Sequence, residues 1–177
     1  MKKINLMACT LILAGLGFTA CSDDDNDSNS ESRIEGTYHL REVNTAEATD
    51  FDEDGDSNID QTKESDCYDN GKITLRSDNT FTYVATAILV NEDDGTDGCA
   101  SNVTYTGTWE IVEGSGTTAL IAITYEDENN DDVTLTLTKQ GDELIWADNN
   151  IFSAYPDRND AGAAVYTQGS ITYVYEK

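Results

Sequence analysis

The chain has 177 residues, with 35 acidic against 10 basic side chains, one histidine and one proline. This length suits a single domain. A net charge of −25 repels phosphate backbones and anionic membrane surfaces, so it excludes electrostatic nucleic-acid binding and favours cations as partners. Because His39 is the only histidine, the common zinc sites and most histidine-dependent catalytic triads are excluded as well.

Residues 1–20 have the pattern of a secretory signal peptide: a basic start at Lys2 and Lys3, then an apolar run that ends at Phe18. The run is shorter than the roughly 20 apolar residues of a membrane-spanning helix. Phe18-Thr19-Ala20-Cys21 resembles the lipobox of bacterial lipoproteins. The resemblance implies cleavage before Cys21 and its modification by lipid, with palmitate as the expected acyl group. Ordinary secretory cleavage after Ala20 is the alternative.

Residues 21–33 are predicted to be an acidic, disordered tether, because no apolar residue follows Cys21 before Ile34. Its simplest role is to space the domain from the bilayer. The start Cys21-Ser22-Asp23-Asp24-Asp25 resembles an export signal of one group of Gram-negative bacteria. That resemblance implies a lipid anchor in the outer membrane and exposure at the cell surface. Three acyl chains anchor a protein stably without a basic patch.

Residues 34–177 alternate between apolar and polar with a period of two, which predicts an all-β domain. Short turns between successive strands favour an antiparallel up-and-down barrel, since closure removes exposed sheet edges. A β-sandwich is the alternative, and an outer-membrane barrel is disfavoured because one face is largely threonine and acid. Eight strands are expected, near residues 34–40, 73–75, 81–90, 103–111, 119–125, 133–137, 144–146 and 171–175.

Four segments carry a resemblance to a family. Ile34–Tyr38, Ile73–Leu75, Asn79–Tyr83 and Thr106–Trp109 resemble the lipocalin-like domain of small bacterial surface lipoproteins. Gly36-Thr37-Tyr38 stands where the lipocalin first strand has Gly-x-Trp. The resemblance covers most of residues 34–177 and implies an eight-stranded barrel. It implies no particular ligand, because most members have no assigned ligand or activity.

Residues 50–61 carry the sharpest local signal, a repeated D-x-D-x-D-G pattern typical of calcium loops. Gly55 stands at the sixth position, where the loop turns sharply, and Gln61 stands at the twelfth, where glutamate is usual. Asp60 or Glu64 is a possible substitute there. Oxygen ligands favour calcium, and a solvated acidic loop is the alternative. The candidate metal ligands are Asp50, Asp52, Asp54, Asp56, Asn58 and Asp60.

The acidic runs 91–98 and 126–132 lack the alternating ligand order and are predicted to be hairpin turns. Cys67 and Cys99 form an even pair once Cys9 leaves with the signal peptide and Cys21 is lipidated. In an oxidising compartment they predict a disulfide that ties two long loops together. Closing that loop is worth ~3.5 to 4 kcal/mol in the chain-entropy model.

No phosphate-binding loop, nucleophile elbow or cofactor motif is recognisable, so a non-enzymatic protein is expected. Two functions remain open. The first is a binding module for a small hydrophobic or sugar-like ligand, with a calcium-ordered acidic loop. The second is a structural or interaction protein whose filled barrel presents loops to a partner. A large apolar pocket would support the first, and a barrel packed with side chains would support the second.

Overall fold

The computed structural model describes residues 34–177 and contains β-strands with one 3₁₀ turn at Asp66–Tyr68. The predicted signal peptide, the tether and Cys21 lie outside the described residues. No helix in the described part has the length and apolar character needed to cross a membrane. The strands are β1 (Gly36–Thr49), β2 (Asn58–Asp60), β3 (Lys72–Leu75), β4 (Thr80–Ala85), β5 (Ile88–Asn91), β6 (Thr96–Cys99), β7 (Val103–Ser115), β8 (Thr118–Glu126), β9 (Asp132–Gln140), β10 (Glu143–Asp148), β11 (Ala154–Arg158), β12 (Ala164–Gln168) and β13 (Ile171–Glu176).

Eight strands close an antiparallel barrel in the order β1, β3, β4, β7, β8, β9, β10 and β13. The barrel closes where β1 pairs with β13, with Val43 opposite Tyr173 and Leu40 opposite Tyr175. β2 adds to β1 as an extra strand. Each of the eight predicted strands contributes to the barrel, and neighbouring barrel strands follow one another along the chain. The predicted up-and-down barrel is therefore confirmed, and closure excludes the sandwich.

The strand predicted at 81–90 is instead two strands. β4 ends at Ala85, opposite Val103 of β7, and β5 starts at Ile88 and pairs with β6 outside the barrel. The buried face changes at the break: Phe81 and Tyr83 are buried in β4, whereas in β5 Ile88 is buried and Leu89 is 57% exposed. β1 is longer than predicted and has an irregularity in its pairing with β13 between Leu40 and Glu42.

The two ends of the barrel differ in how the strands are connected. At the packed end, residues 76–79, 116–117 and 141–142 are short turns, and β1 begins there. At the loop end lie the long connections 50–71, 86–102 and 149–170, together with the turn 127–131. The predicted hairpin turns at 91–98 and 126–132 are confirmed, since they join β5 to β6 and β8 to β9.

Apolar side chains fill the packed end. Trp109 Nε1 donates a hydrogen bond to the Arg76 carbonyl at 2.9 Å, and the Tyr38 hydroxyl donates to the Ile34 carbonyl at 2.6 Å. Because these buried donors have partners, the core holds them without a desolvation penalty. Lys139 is fully buried there and donates to the Gly141 carbonyl. The core side chains at this end include Tyr38, Ile73, Leu75, Phe81, Trp109, Ile121, Ile123, Leu137, Leu144 and Tyr175.

Candidate functional site at the loop end of the barrel

A cap covers one side of the loop end. It is built by β2, the 3₁₀ turn, and the hairpins β5–β6 and β11–β12. The predicted disulfide between Cys67 and Cys99 is confirmed, and it joins the 3₁₀ turn to the end of β6. The cap has its own apolar cluster, which includes Val43, Phe51, Tyr68, Ile88, Tyr155, Ala164 and Ile171.

Arg158 holds three parts of the cap together. Its Nε donates to the Phe51 carbonyl at 2.9 Å, and its guanidinium lies 4.5 Å from the centre of the Phe51 ring. Its second terminal nitrogen forms an ion pair with Asp97 at 2.7 Å. The acidic loop, β6 and β11 are thereby connected, and the positive charge of Arg158 is directed to Asp97.

The acidic loop brings Asp50 and Asp52 together with Glu64. One carboxylate oxygen from each lies within 4.8 Å of the others, so this group could hold a metal ion. Two oxygens bound to one calcium ion, each at about 2.4 Å, are at most about 4.8 Å apart. The spacing of the three carboxylates is therefore compatible with one ion of this size.

The chain fold holds Glu64 in place from two sides. Its carboxylate is buried and accepts hydrogen bonds from the Phe51 amide at 2.7 Å and from Asn58 Nδ2 at 2.6 Å. Gln61, at the twelfth loop position, is fully buried, and its Nε2 donates to Thr49 Oγ1 at 2.6 Å. In calcium loops the twelfth residue, here Gln61, supplies a carboxylate. In this structure Glu64, one of the two substitutes that the sequence offered, brings its carboxylate to Asp50 and Asp52 instead.

Of the other candidate ligands, Asn58 contacts this group through its hydrogen bond to Glu64, whereas Asp54, Asp56 and Asp60 lie outside the group of three carboxylates. Asp54 accepts a hydrogen bond from the Asp56 amide at 2.8 Å. The Asp60 carboxylate faces Val43 and Thr62, accepting from the Val43 amide at 3.0 Å and from the Thr62 hydroxyl at 2.9 Å. Arg158 forms an ion pair with Asp97, and Arg41 forms one with Glu176. Neither neutralises Asp50, Asp52 or Glu64.

The inner wall of the barrel near the loop end is aromatic and half-buried. Tyr105 and Tyr125 pack with ring centres 4.5 Å apart, and Trp146 stacks on Tyr173 at 4.7 Å with nearly parallel planes. Burial, and secondarily the charge of Asp148, raises the pKa of Tyr173 to about 12. Tyr173 therefore stays neutral at physiological pH, and the four rings form an apolar surface that carries hydroxyl groups.

A cavity of about 140 Å³ lies between the barrel and the cap. It is smaller and more enclosed than the groove along β7 and β8, and Tyr173 connects it to the aromatic wall. The residues around it are Val43, Tyr68, Thr86, Ala87, Ile88, Ala154, Tyr155, Pro156, Tyr166, Ile171 and Tyr173. Sequence reasoning did not find this cavity, because its walls come from strands that are distant in the chain.

A larger groove of about 490 Å³ lies on the outer surface along β7 and β8. Its lining includes four threonines, Thr104, Thr106, Thr108 and Thr124, together with Tyr105 and Tyr125. Thr108 and Thr124 also belong to a row of threonines that pair across four strands. The row is Thr80, Thr108, Thr124 and Thr134. Threonine suits a solvated strand face, so the groove follows from strand composition.

Comparisons with protein-family models, with curated proteins and with solved structures find no match to this chain. The function therefore has to be argued from the site itself.

Proposed function

We propose that this protein is a lipid-anchored, non-catalytic binding module whose lipocalin-like barrel takes a small hydrophobic or sugar-like ligand at its loop end, with calcium ordering the acidic loop. The observation that carries the proposal is the difference between the two ends of the barrel. One end is packed solid around Tyr38 and Trp109, whereas the other keeps a half-exposed aromatic wall and a cavity. Aromatic walls with a few hydroxyl groups are typical of sites for apolar molecules and sugar rings.

The position of the chain start supports an anchored arrangement. β1 begins at Gly36 at the packed end, so a tether from Cys21 would attach the barrel to the membrane by that end. The long loops would then point away from the bilayer. Anchoring through Cys21 in the outer membrane, with the domain at the cell surface, remains part of the proposal.

Three features support calcium at the acidic loop. The carboxylates of Asp50, Asp52 and Glu64 lie close enough together for one ion, Glu64 is buried, and neither the Arg158–Asp97 nor the Arg41–Glu176 ion pair includes any of the three. A bound divalent cation would offset their repulsion. Ligands that are all oxygen favour calcium over zinc or copper.

Tryptophan fluorescence tests ligand binding at the loop end. The chain has two tryptophans, of which Trp146 lies on the aromatic wall and Trp109 in the packed end. Titration with an aliphatic alcohol, a neutral monosaccharide and a neutral aromatic, each with and without calcium, should give a saturable change in emission for at least one probe. The Trp146→Phe variant should lose that change, and Trp109→Phe should keep it.

The outcome that contradicts a binding module is the same emission with every probe in both calcium conditions. An interaction protein with a filled barrel would then be the better function. Its supporting observation is the consecutive pair Ile151 and Phe152 in the β10–β11 connection, which are 80% and 78% exposed. Two large apolar side chains at a loop tip suit contact with a macromolecular partner.

A further inference from the structure

The cavity between barrel and cap has a size that limits its ligand. Its volume of about 140 Å³ is close to the ~150 Å³ of an engineered protein cavity that binds benzene. Four of its eleven lining residues are tyrosines, namely Tyr68, Tyr155, Tyr166 and Tyr173. A single planar ring would fill this space in contact with flat partners, whereas a fatty acid or a disaccharide would exceed it.

The cavity wall contains no charged residue, which favours a neutral ligand. None of its lining residues carries a charge, although the chain has 35 acidic side chains. A charged ligand would lose its hydration without gaining an ionic partner, which is a large penalty in an apolar site. A neutral ligand avoids that penalty.

Tyr68 supplies a polar contact within this neutral wall. Its side chain is 5% exposed and forms part of the cavity wall. Burial, followed by the nearby Tyr173 and Tyr166, raises the pKa of Tyr68. The hydroxyl therefore remains protonated, and a phenol hydroxyl in a cavity wall can donate a hydrogen bond to an oxygen atom of a ligand.

We propose that this cavity binds a small neutral ring compound bearing one hydroxyl or carbonyl oxygen, of the size of phenol, with Tyr68 hydrogen-bonded to that oxygen. The inference rests on the proposed binding function and names the ligand class for the capped part of the loop end. Its site is separate from the acidic loop, so it requires no metal.

The test uses phenol, toluene and benzoate as probes, with calorimetry and Trp146 fluorescence as readouts. Phenol and toluene should bind one-to-one, and benzoate should bind at least tenfold more weakly. Tyr68→Phe should weaken phenol binding about fivefold, because one neutral hydrogen bond is lost, and leave toluene binding unchanged. Ala154→Leu, which adds bulk at the cavity wall, should abolish binding of both.

Absence of saturable phenol and toluene binding overturns the inference, as does benzoate binding equal to phenol or an equal loss of both ligands in Tyr68→Phe. Thermal melts of each variant establish that it is folded. If Ala154→Leu does not fold, Tyr68→Phe, which removes only the hydroxyl group, still tests the inference. If the phenol-size probes fail while an alcohol or a sugar changes Trp146 emission, this inference falls and the proposed binding function stands.

Discussion

Gly107 lies where β4, β7 and β8 approach most closely. A methyl group at this position would collide with the carbonyl oxygen of Thr124 and lie 2.9 Å from Phe81 Cε1. A backbone oxygen cannot move away as a flexible side chain would. The glycine is therefore required by close packing of the strands, and the sequence showed it only as one apolar-face position of the fourth predicted strand.

The substitution Gly107→Ala should destabilise the protein by about 2–3 kcal/mol, because an added methyl group overpacks the core. Urea unfolding followed by circular dichroism measures the change. Gly98→Ala is the matched control, since a methyl group added there would meet no atom within 4 Å beyond its chain neighbours. Equal stability of the Gly107→Ala variant and the unsubstituted protein would show that the strands can separate there.

Glu64 shows why single ligands are difficult to predict. The spacing of residues 50–58 indicated a metal loop and correctly included Asp50 and Asp52 in the group that the fold brings together. Glu64 joins that group because the chain turns back after β2 and buries its carboxylate against the Phe51 amide. Asp60 fits the acidic pattern equally well, yet its carboxylate bonds to Val43 and Thr62. The path of the loop, which local spacing does not encode, decides between them.

At the scale of elements, the acidic loop is a connection whose own hydrogen bonds already shape it. Asp50 accepts from the Gly55 amide at 3.1 Å, and Asp52 accepts from the Asp54 amide at 3.2 Å. Gly55 has φ of +95°, a conformation that favours glycine. The loop is thus arranged around its carboxylates, and a cation would strengthen an arrangement that exists without one.

Calcium should bind the metal-stripped protein with a Kd of ~10⁻⁴ to 10⁻³ M, as in extracellular modules. At ten times the Kd, binding adds about 1.4 kcal/mol of stability and raises the Tm by about 4 °C. Calorimetric titration and thermal melts measure both effects. Asp52→Asn should remove them, because it takes one charge from the group.

Asp93→Asn is the matched control for that experiment, since Asp93 is an exposed acid in the β5–β6 turn. It removes the same charge and should leave calcium binding unchanged. Equal heats for the two variants would mean that calcium is attracted only by the overall negative charge, and the acidic loop would then be a solvated surface.

Most of the short strands outside the barrel were not predicted, because β2, β6 and β11 contain Asn, Asp, Gly or Pro, which are depleted in strands. β11 and β12 pair with each other from Ala154 opposite Gln168 to Arg158 opposite Ala164. Pro156 lies within β11, and proline in a strand usually indicates an edge or no strand at all. This two-stranded sheet accommodates it because each strand has only one partner.

At the scale of the whole molecule, tyrosine is the most informative residue type. The chain has 9 tyrosines, and burial is the largest cause of a raised pKa in Tyr38, Tyr68, Tyr83, Tyr125, Tyr155, Tyr173 and Tyr175. An ionised tyrosine is more stable in the unfolded chain than in these sites. The fold therefore depends on keeping the phenol groups neutral.

Stability should be insensitive to tyrosine ionisation below pH 10 and should fall between about pH 10 and 12. In this range tyrosines of the unfolded chain, with pKa near 10, lose protons that the folded protein retains up to about 12 at Tyr173. Urea unfolding at pH 8, 10 and 11 measures the loss. Tyr173→Phe should reduce the loss at pH 11 by about 1 kcal/mol.

General charge repulsion also grows at alkaline pH in a chain this acidic, and salt separates the two causes. Exposed charges are screened at about 0.5 M salt, whereas the penalty for ionising a buried phenol is affected much less. A loss of stability that disappears in salt, or one that Tyr173→Phe leaves unchanged, would contradict the tyrosine explanation.

The sequence by itself determined the class and topology of the domain. Period-two alternation and short turns are local properties, so they specified eight antiparallel strands in chain order, and the even pair Cys67 and Cys99 specified the disulfide. Only the tertiary structure decided how the two ends of the barrel differ. One end is packed with side chains, and the other has a tyrosine-lined cavity under the cap. The tertiary structure also brought Glu64 to Asp50 and Asp52. The reason is physical, because a cavity or a group of ligands depends on distances between segments far apart in the chain, which strand alternation leaves free.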